Sequence, residues 1–398
     1  MSSTKDKNQI SNETLSVWGG EKSSDRWQKA TQVPVVHSIS FSYDDIDEWR
    51  DVALEKAEGH IYSRNTNPTV TAFEEKLRLL ENAEAATSFA SGMAAISNTL
   101  FTLLRPGDRI VSIKDSYGGT NRMFSQFLPD FNIDVTLCDT TDHEQIESEI
   151  SKGCKLLYLE TPTNPTVKIL DIARLSKAGK AQGATVVVDS TMATPINQKP
   201  IDLGADLVLH SASKYLGGHA DAMGGVVAGD AGLVKQIYGF REINGACLSP
   251  GDAYRLLRGM KTLAIRVERQ NDNAMAIAKY LQSHQAVEKV FYPGLPGHLH
   301  HDIAKHQMQG FGGMLSFMVR GGFDSVKAIL PRLQLANRAA NLGPVETVVG
   351  PPATTSHVEC TIEQRELMGI PEGLVRYSAG IESVDDLIRD LEQALSVI

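Results

Sequence analysis

Several polar residues stand immediately after apolar runs that read as strands, the place where an open α/β sheet gathers its ligand-binding groups. Asp189 ends the run Thr185-Val186-Val187-Val188, and Ser211, Ser213 and Lys214 follow Asp206-Leu207-Val208-Leu209-His210. Tyr117 comes shortly after the apolar run 110–113, and Ser91-Gly92-Met93 lies between a strand pattern and a helical one. Singly, each has an ordinary structural reading: an Asp after a strand caps a turn or helix, and a Lys there is a solvated charge. Brought to one sheet edge, they form the set that pyridoxal phosphate catalysis needs. Lys214 would hold the cofactor aldehyde as a Schiff base. An anionic Asp189 would keep the pyridine nitrogen protonated, so that the ring draws electrons from the substrate α-carbon. The amides of Gly92 and Met93 at a helix N-terminus suit a phosphate, and Ser211 and Ser213 add hydroxyl donors. Tyr117 could stack on the ring and transfer protons. Arg64, within Tyr62-Ser63-Arg64-Asn65-Thr66-Asn67-Pro68, offers a bidentate cation for the phosphate dianion.

The elements that must position these residues alternate along the chain. Strand patterns fall at 85–90, 109–113, 133–138, 156–160, 185–189, 206–210 and 225–228, with helical patterns at 93–104, 144–150 and 172–181. Fully apolar strands alternating with helices predict a mostly parallel sheet covered on both faces. Asn67-Pro68-Thr69, followed by Phe73, Leu77 and Leu80, predicts a capped helix. After Pro250-Gly251-Asp252 a long helical pattern runs through Leu263 and Val267 toward Leu281, carrying the chain out of the first domain. Strands at 290–292, 314–319 and 374–378 and a closing helix at 384–395 predict a smaller α+β domain. Residues 1 to about 60 lack periodicity and read as an extended arm, yet Trp18, Trp27, Phe41 and Trp49 are too apolar for a disordered tail. The expected organisation is an arm at 1–61 lying on a neighbouring subunit, a large cofactor domain at 62–262 and a C-terminal domain at 263–398.

Composition narrows the function. The 398 residues suit two or three domains at about 150 residues each. With 42% apolar and 22% charged residues the chain is ordinary globular material. Lys and Arg number 39 against 48 Asp and Glu, a net charge of −9, which argues against nucleic acid and anionic membrane as partners. The polar first residues lack a signal-peptide core, and no run approaches the roughly 18 apolar residues of a membrane span. The expectation is a cytoplasmic protein. Cys138, Cys154, Cys247 and Cys360 form no C-x-x-C pair and read as core residues. His298, His300, His301 and His306 cluster in a Pro/Gly turn without Cys or carboxylate ligands, so they read as loop and helix start, not metal ligands. No G-x-G-x-x-G follows the first strand, which weighs against a nicotinamide dehydrogenase.

From Tyr62 to its end the chain resembles the Cys/Met-metabolism family of fold-type-I pyridoxal-phosphate enzymes, which includes cystathionine γ-synthases, cystathionine γ- and β-lyases, methionine γ-lyases and homoserine-ester sulfhydrylases. The matching segments are collinear: YSRNTNPT (62–69), ASGMAAI (90–96), DSYGGTNR (115–122), ETPTNP (160–165), VVDSTMATP (187–195), HSASKYLGGHAD (210–221), LRGMKTLAIRV (257–267), YPGL (292–295), GFGGMLSF (310–317) and LVRYSAGIE (374–382). The resemblance implies the aspartate-aminotransferase fold, pyridoxal 5'-phosphate as cofactor, amino-acid substrates and a homotetramer made of two dimers. It implies Lys214 as the Schiff-base lysine, Asp189 as the pyridinium partner and Tyr117 as the ring-stacking tyrosine. Gly92, Met93, Ser211 and Ser213 match the phosphate cradle, and Ser91 and Thr191 join them as cofactor-binding residues. Tyr62 and Arg64 match a pair that reaches the cofactor of the neighbouring subunit. Arg376 matches the clamp for the substrate α-carboxylate, a role that suits its planar fork, with Asn164, Asn341 and Glu346 also facing substrate. The sequence departs from the family pattern with Ser190 in place of Asn, Ser213 in place of Thr, Asn341 in place of Ser and Pro344 in place of Gly. The last two border the substrate and bear on its choice.

Members of such a family differ in which substituent leaves and whether a nucleophile replaces it. Gly119 stands where methionine γ-lyases often carry a cysteine, and segments 197–221 and 248–274 look most like cystathionine γ-synthases. The expectation is therefore γ-replacement, an O-activated homoserine and cysteine giving cystathionine. The alternatives are cystathionine or methionine γ-lyase, and a specialised γ-substitution by another nucleophile. A pseudoenzyme that only binds a partner is disfavoured by the presence of Lys214, Asp189 and Arg376.

Overall fold

Runs of branched apolar residues at 109–113, 156–160 and 185–189 are buried along almost their whole length, as a sheet covered on both faces requires. In the computed structural model, which describes residues 10–21, 27, 29–355, 358, 361–367 and 369–398, they lie inside a seven-stranded sheet. Its strands are β1 (Ala85–Phe89), β2 (Arg109–Ile113), β3 (Asp134–Cys138), β4 (Leu156–Glu160), β5 (Thr185–Asp189), β6 (Leu207–Ser211) and β7 (Gly225–Gly229). The order is β1-β7-β6-β5-β4-β2-β3. β7 runs antiparallel to both its neighbours and the other pairs are parallel, as expected. Register aligns the carboxyl ends: Glu160 pairs with Asp189, and Asp189 with Leu209.

The predicted elements shift by a residue or two where capping decides the boundary. The helix expected from residue 93 starts at Gly92, because the Ser91 side chain accepts the Ala94 amide at 3.1 Å. The single long helix expected after Pro250 is two, Pro250–Met260 and Leu263–Ser283. Before the break Gly259 presses on Gly217, so closely that a Cβ there would lie 2.0 Å from a backbone oxygen. Leu263 and Val267 of the second helix sit in the large-domain core, whereas Ala274, Ile277 and Leu281 belong to the core of a second sheet. That sheet joins β8 (Val287–Phe291), β9 (Met314–Val319), β10 (Asn337–Arg338), β11 (Val348–Gly350) and β12 (Leu374–Ser378).

The N-terminal segment is less extended than expected. It holds α1 (Asn12–Trp18) and α2 (Ile46–Ala53), helices of seven and eight residues too short to show a period, and capped by Ser11 and Asp45. They precede α3 (Pro68–Leu80), where Asn67 Oδ1 accepts the Thr69 amide at 3.0 Å as its sequence predicts. Glu21, just after α1, is bound by its own chain: Lys76 Nζ and Lys261 Nζ reach its carboxylate at 2.5 and 2.6 Å. Residues 1–9 of the arm and Cys360 lie outside the described residues. Cys138 is buried, whereas Cys154 and Cys247 are only partly so.

Candidate active site

Strand ends and helix starts converge on a cavity of about 1140 Å³ at the carboxyl edge of the large sheet. Asp189 closes β5 and is buried. Its Oδ1 accepts the Thr191 amide at 3.0 Å and the Thr191 hydroxyl at 2.6 Å. Burial pushes the Asp189 carboxyl up, and the Thr191 bonds oppose that shift. Thr191 Oγ1 in turn accepts the Ser211 amide at 2.9 Å, tying the end of β6 to the carboxylate.

Lys214 sits in the turn after β6. Its Nζ donates to Asn341 Oδ1 at 2.9 Å, and burial, with the nearby Arg376 charge, lowers the amine to about 8. Arg376, on β12, is buried and directed by two acceptors, Asn164 Oδ1 at 3.3 Å and the Asn341 carbonyl at 2.9 Å. Burial lowers it to about 10, which leaves it cationic at neutral pH. Asn341 thus touches the lysine with its side chain and the arginine with its backbone.

Opposite them, α4 (Gly92–Leu103) points its N-terminus at the cavity. Ser91 caps through the Ala94 amide, so the first-turn amides of Gly92 and Met93 are left for a ligand. Only glycine fits at 92, since a Cβ would stand 2.8 Å from the Ser211 Cβ. The Ser213 hydroxyl, expected as a phosphate donor, donates to the Gly224 carbonyl at 3.3 Å and accepts the Gly224 amide at 3.0 Å. Tyr117 lines the cavity at the start of α5 (Gly118–Arg122), with 44% of its surface exposed.

The structure therefore brings together Ser91, Gly92, Met93, Tyr117, Asn164 and Asp189 with Thr191, Ser211, Ser213, Lys214, Asn341 and Arg376. Tyr62, Arg64 and Glu346 do not line this chain's cavity. Glu346, expected from the resemblance to face substrate, is exposed. Arg64 donates to the Glu242 carbonyl and lies 5.8 Å from the centre of the Tyr62 ring. Among the cavity residues not anticipated from sequence are Glu160 and His210. Glu160 closes β4 as Asp189 closes β5, the same signal of a carboxyl ending an apolar run. His210 also lines the cavity and pairs with buried Glu81 at 2.6 Å, which no local pattern reveals.

Of the clustered histidines, His300 directs Nδ1 at the Ile169 carbonyl and His301 directs its own at the Pro293 carbonyl, each at 2.8 Å. The helix His301–Gln307 begins there.

The sequence profile described as Cys/Met metabolism PLP-dependent enzyme matches residues 13–396. The chain belongs to this family. An L-methionine γ-lyase of Fusobacterium nucleatum subsp. polymorphum is 45% identical over 370 residues, 92% of this chain and 93% of that protein. A cystathionine γ-lyase of Bacillus subtilis is 43% identical over 341 residues, 85% and 89% of the two chains. A solved cystathionine γ-synthase of Xanthomonas oryzae pv. oryzae, in complex with aminoacrylate and cysteine, superposes with a TM-score of 0.92. It shares 37% identity, and the match covers 97% of this chain and 98% of that one. Members of the family are carbon–sulfur bond-cleaving or bond-forming enzymes that use pyridoxal 5'-phosphate. The cavity fits that cofactor: helix-terminal amides for a phosphate, a buried carboxyl for a protonated ring nitrogen, and a half-buried amine for an aldehyde. Among the described residues, no helix is long and apolar enough to cross a membrane.

Proposed function

We propose that this protein catalyses γ-elimination from a sulfur-containing amino acid such as methionine or cystathionine, releasing a thiol, ammonia and 2-oxobutyrate. The observation that carries the reading is the level of likeness to γ-lyases, 43–45% over most of each chain. γ-Replacement, the expectation from sequence, is the second reading, and the fold's likeness to a cystathionine γ-synthase favours it.

Bound at the sheet edge, pyridoxal phosphate would supply an aldehyde for the substrate amine and a ring that withdraws electrons from its α-carbon. The protein's residues do the rest. The fork of Arg376 takes the substrate α-carboxylate, aimed by Asn164 and the Asn341 carbonyl. Asp189, its Oδ1 held by Thr191, would supply the anion that keeps the ring nitrogen protonated. Gly92, Met93 and Ser211 would hold the phosphate, with Ser91 fixing the helix start and Ser213 the Gly224 turn. The neutral amine of Lys214 removes the α-proton, and Asn341 Oδ1 holds that amine in place. Tyr117, exposed at the cavity wall, donates a proton to the departing sulfur. We further propose a homotetramer in which Tyr62 and Arg64 complete a neighbour's site. They lie outside their own chain's cavity, and Ile46, Trp49 and Ile243 stay 78%, 48% and 82% exposed on the isolated chain.

The test supplies the holoenzyme with methionine, with cystathionine, and with an O-activated homoserine in the presence or absence of cysteine, and identifies products by mass. The elimination reading expects 2-oxobutyrate from methionine or cystathionine. Cystathionine formed from the activated homoserine, with both thioethers left intact, would replace it with the synthase reading.

A further inference from the structure

Glu160 is a buried carboxyl that the reaction outlined above leaves without a task. It ends β4 directly beside Asp189, and its Oε2 accepts the backbone amide of Tyr117 at 2.7 Å. Glu160 therefore ties the loop that carries Tyr117, on the cavity wall, to the end of β4. The Tyr117 loop has little else at this point. Tyr117 precedes a five-residue helix with no side-chain cap, is followed by Gly118 and Gly119, and has a ring too exposed to be fixed by packing. Upstream the loop is anchored separately, by Asp115 accepting from Lys168 Nζ at 2.9 Å.

We propose that Glu160 is a positioning residue: its carboxyl pins the Tyr117 backbone to the end of β4 and so sets where the Tyr117 phenol stands relative to Lys214. Two adjacent buried carboxyls do not both ionise readily. Burial and the Asp189 charge hold Glu160 well above the usual carboxylate range, whereas the Thr191 bonds favour the anion on Asp189. Glu160 thus acts as a neutral acceptor of N–H bonds, which a glutamine can imitate and an alanine cannot. The kinetic part of this inference rests on the pyridoxal-phosphate reading of the site; the backbone part does not.

Glu160→Ala and Glu160→Gln holoenzymes, matched for bound cofactor, are compared by amide hydrogen exchange of the peptide spanning Tyr117. Their kcat is measured on whichever substrate the protein turns over. Glu160→Ala should speed exchange of the Tyr117 amide by at least about tenfold and lower kcat by about tenfold. Glu160→Gln should restore both to within about threefold of the native values, and in a Tyr117→Phe background Glu160→Ala should cost less than about threefold more. Unchanged exchange in Glu160→Ala, a glutamine variant as slow as the alanine one, or additive losses in the Tyr117→Phe background would each overturn the proposal. Should Glu160→Ala not fold, the native protein still decides: a Tyr117 amide exchanging at the unstructured rate removes the anchor. A wrong assignment of the reaction shows instead in the identity of the products, with the exchange result unaffected.

Discussion

A half-buried lysine amine beside Arg376 loses its proton more easily than one in water, and Lys214 is brought down to about 8. The base that removes an α-proton must be neutral, so its competent fraction rises roughly tenfold per pH unit below that value and levels off above it. The log kcat–pH profile should therefore climb with a slope near one and bend close to pH 8; a limb still climbing at pH 10 would show that burial does not tune this amine. At this scale most of the site is legible in the sequence, because Asp189 and Lys214 end or follow apolar runs that must meet at one sheet edge, and Arg376 falls in a segment collinear with the family. Asn341 is legible only as a departure from a family pattern, and its double contact with lysine and arginine needs the fold to appear. Glu346 shows the converse, a residue the resemblance places at the substrate that is exposed and does not line its own chain's cavity.

The elements act through close approach. The N-terminus of α4, the end of β6 and the start of β7 meet at Gly92, Ser211 and Gly225, where a Cβ on Gly225 would lie 2.1 Å from the Ser91 carbonyl oxygen. Gly92→Ala should force α4 away from Ser211 and widen the anion cradle. Titration of the apoprotein with pyridoxal phosphate should then give an apparent Kd at least about tenfold weaker, with the unfolding midpoint little changed. Equal affinity would mean that the phosphate does not sit at this helix start. The strands that build the edge can be read from sequence because β-branched runs buried on both faces have one outcome. α1 and α2 cannot, since helices of two turns carry no readable period and owe their form to caps and to tertiary contacts such as Glu21 with Lys76.

For the whole molecule, the central question is what the assembled site does. The proposed second subunit comes from the family resemblance, in which Tyr62 and Arg64 match a pair that reaches a neighbour's site. If sites are shared, mixing inactive Arg64→Ala chains with inactive Lys214→Ala chains, after dissociation and reassembly, should restore about a quarter of the native site activity, since each mixed dimer carries one complete site. No recovery would place Arg64 outside a shared site. Synthase and lyase chemistry use the same lysine, carboxylate and arginine, which is why the site's motifs alone do not separate them. The most direct measurement supplies the holoenzyme with saturating O-activated homoserine, cysteine and methionine together, and counts 2-oxobutyrate against cystathionine by mass while following methionine loss. The elimination account predicts that methionine is consumed and 2-oxobutyrate exceeds cystathionine; intact methionine with cystathionine as the dominant product would contradict it.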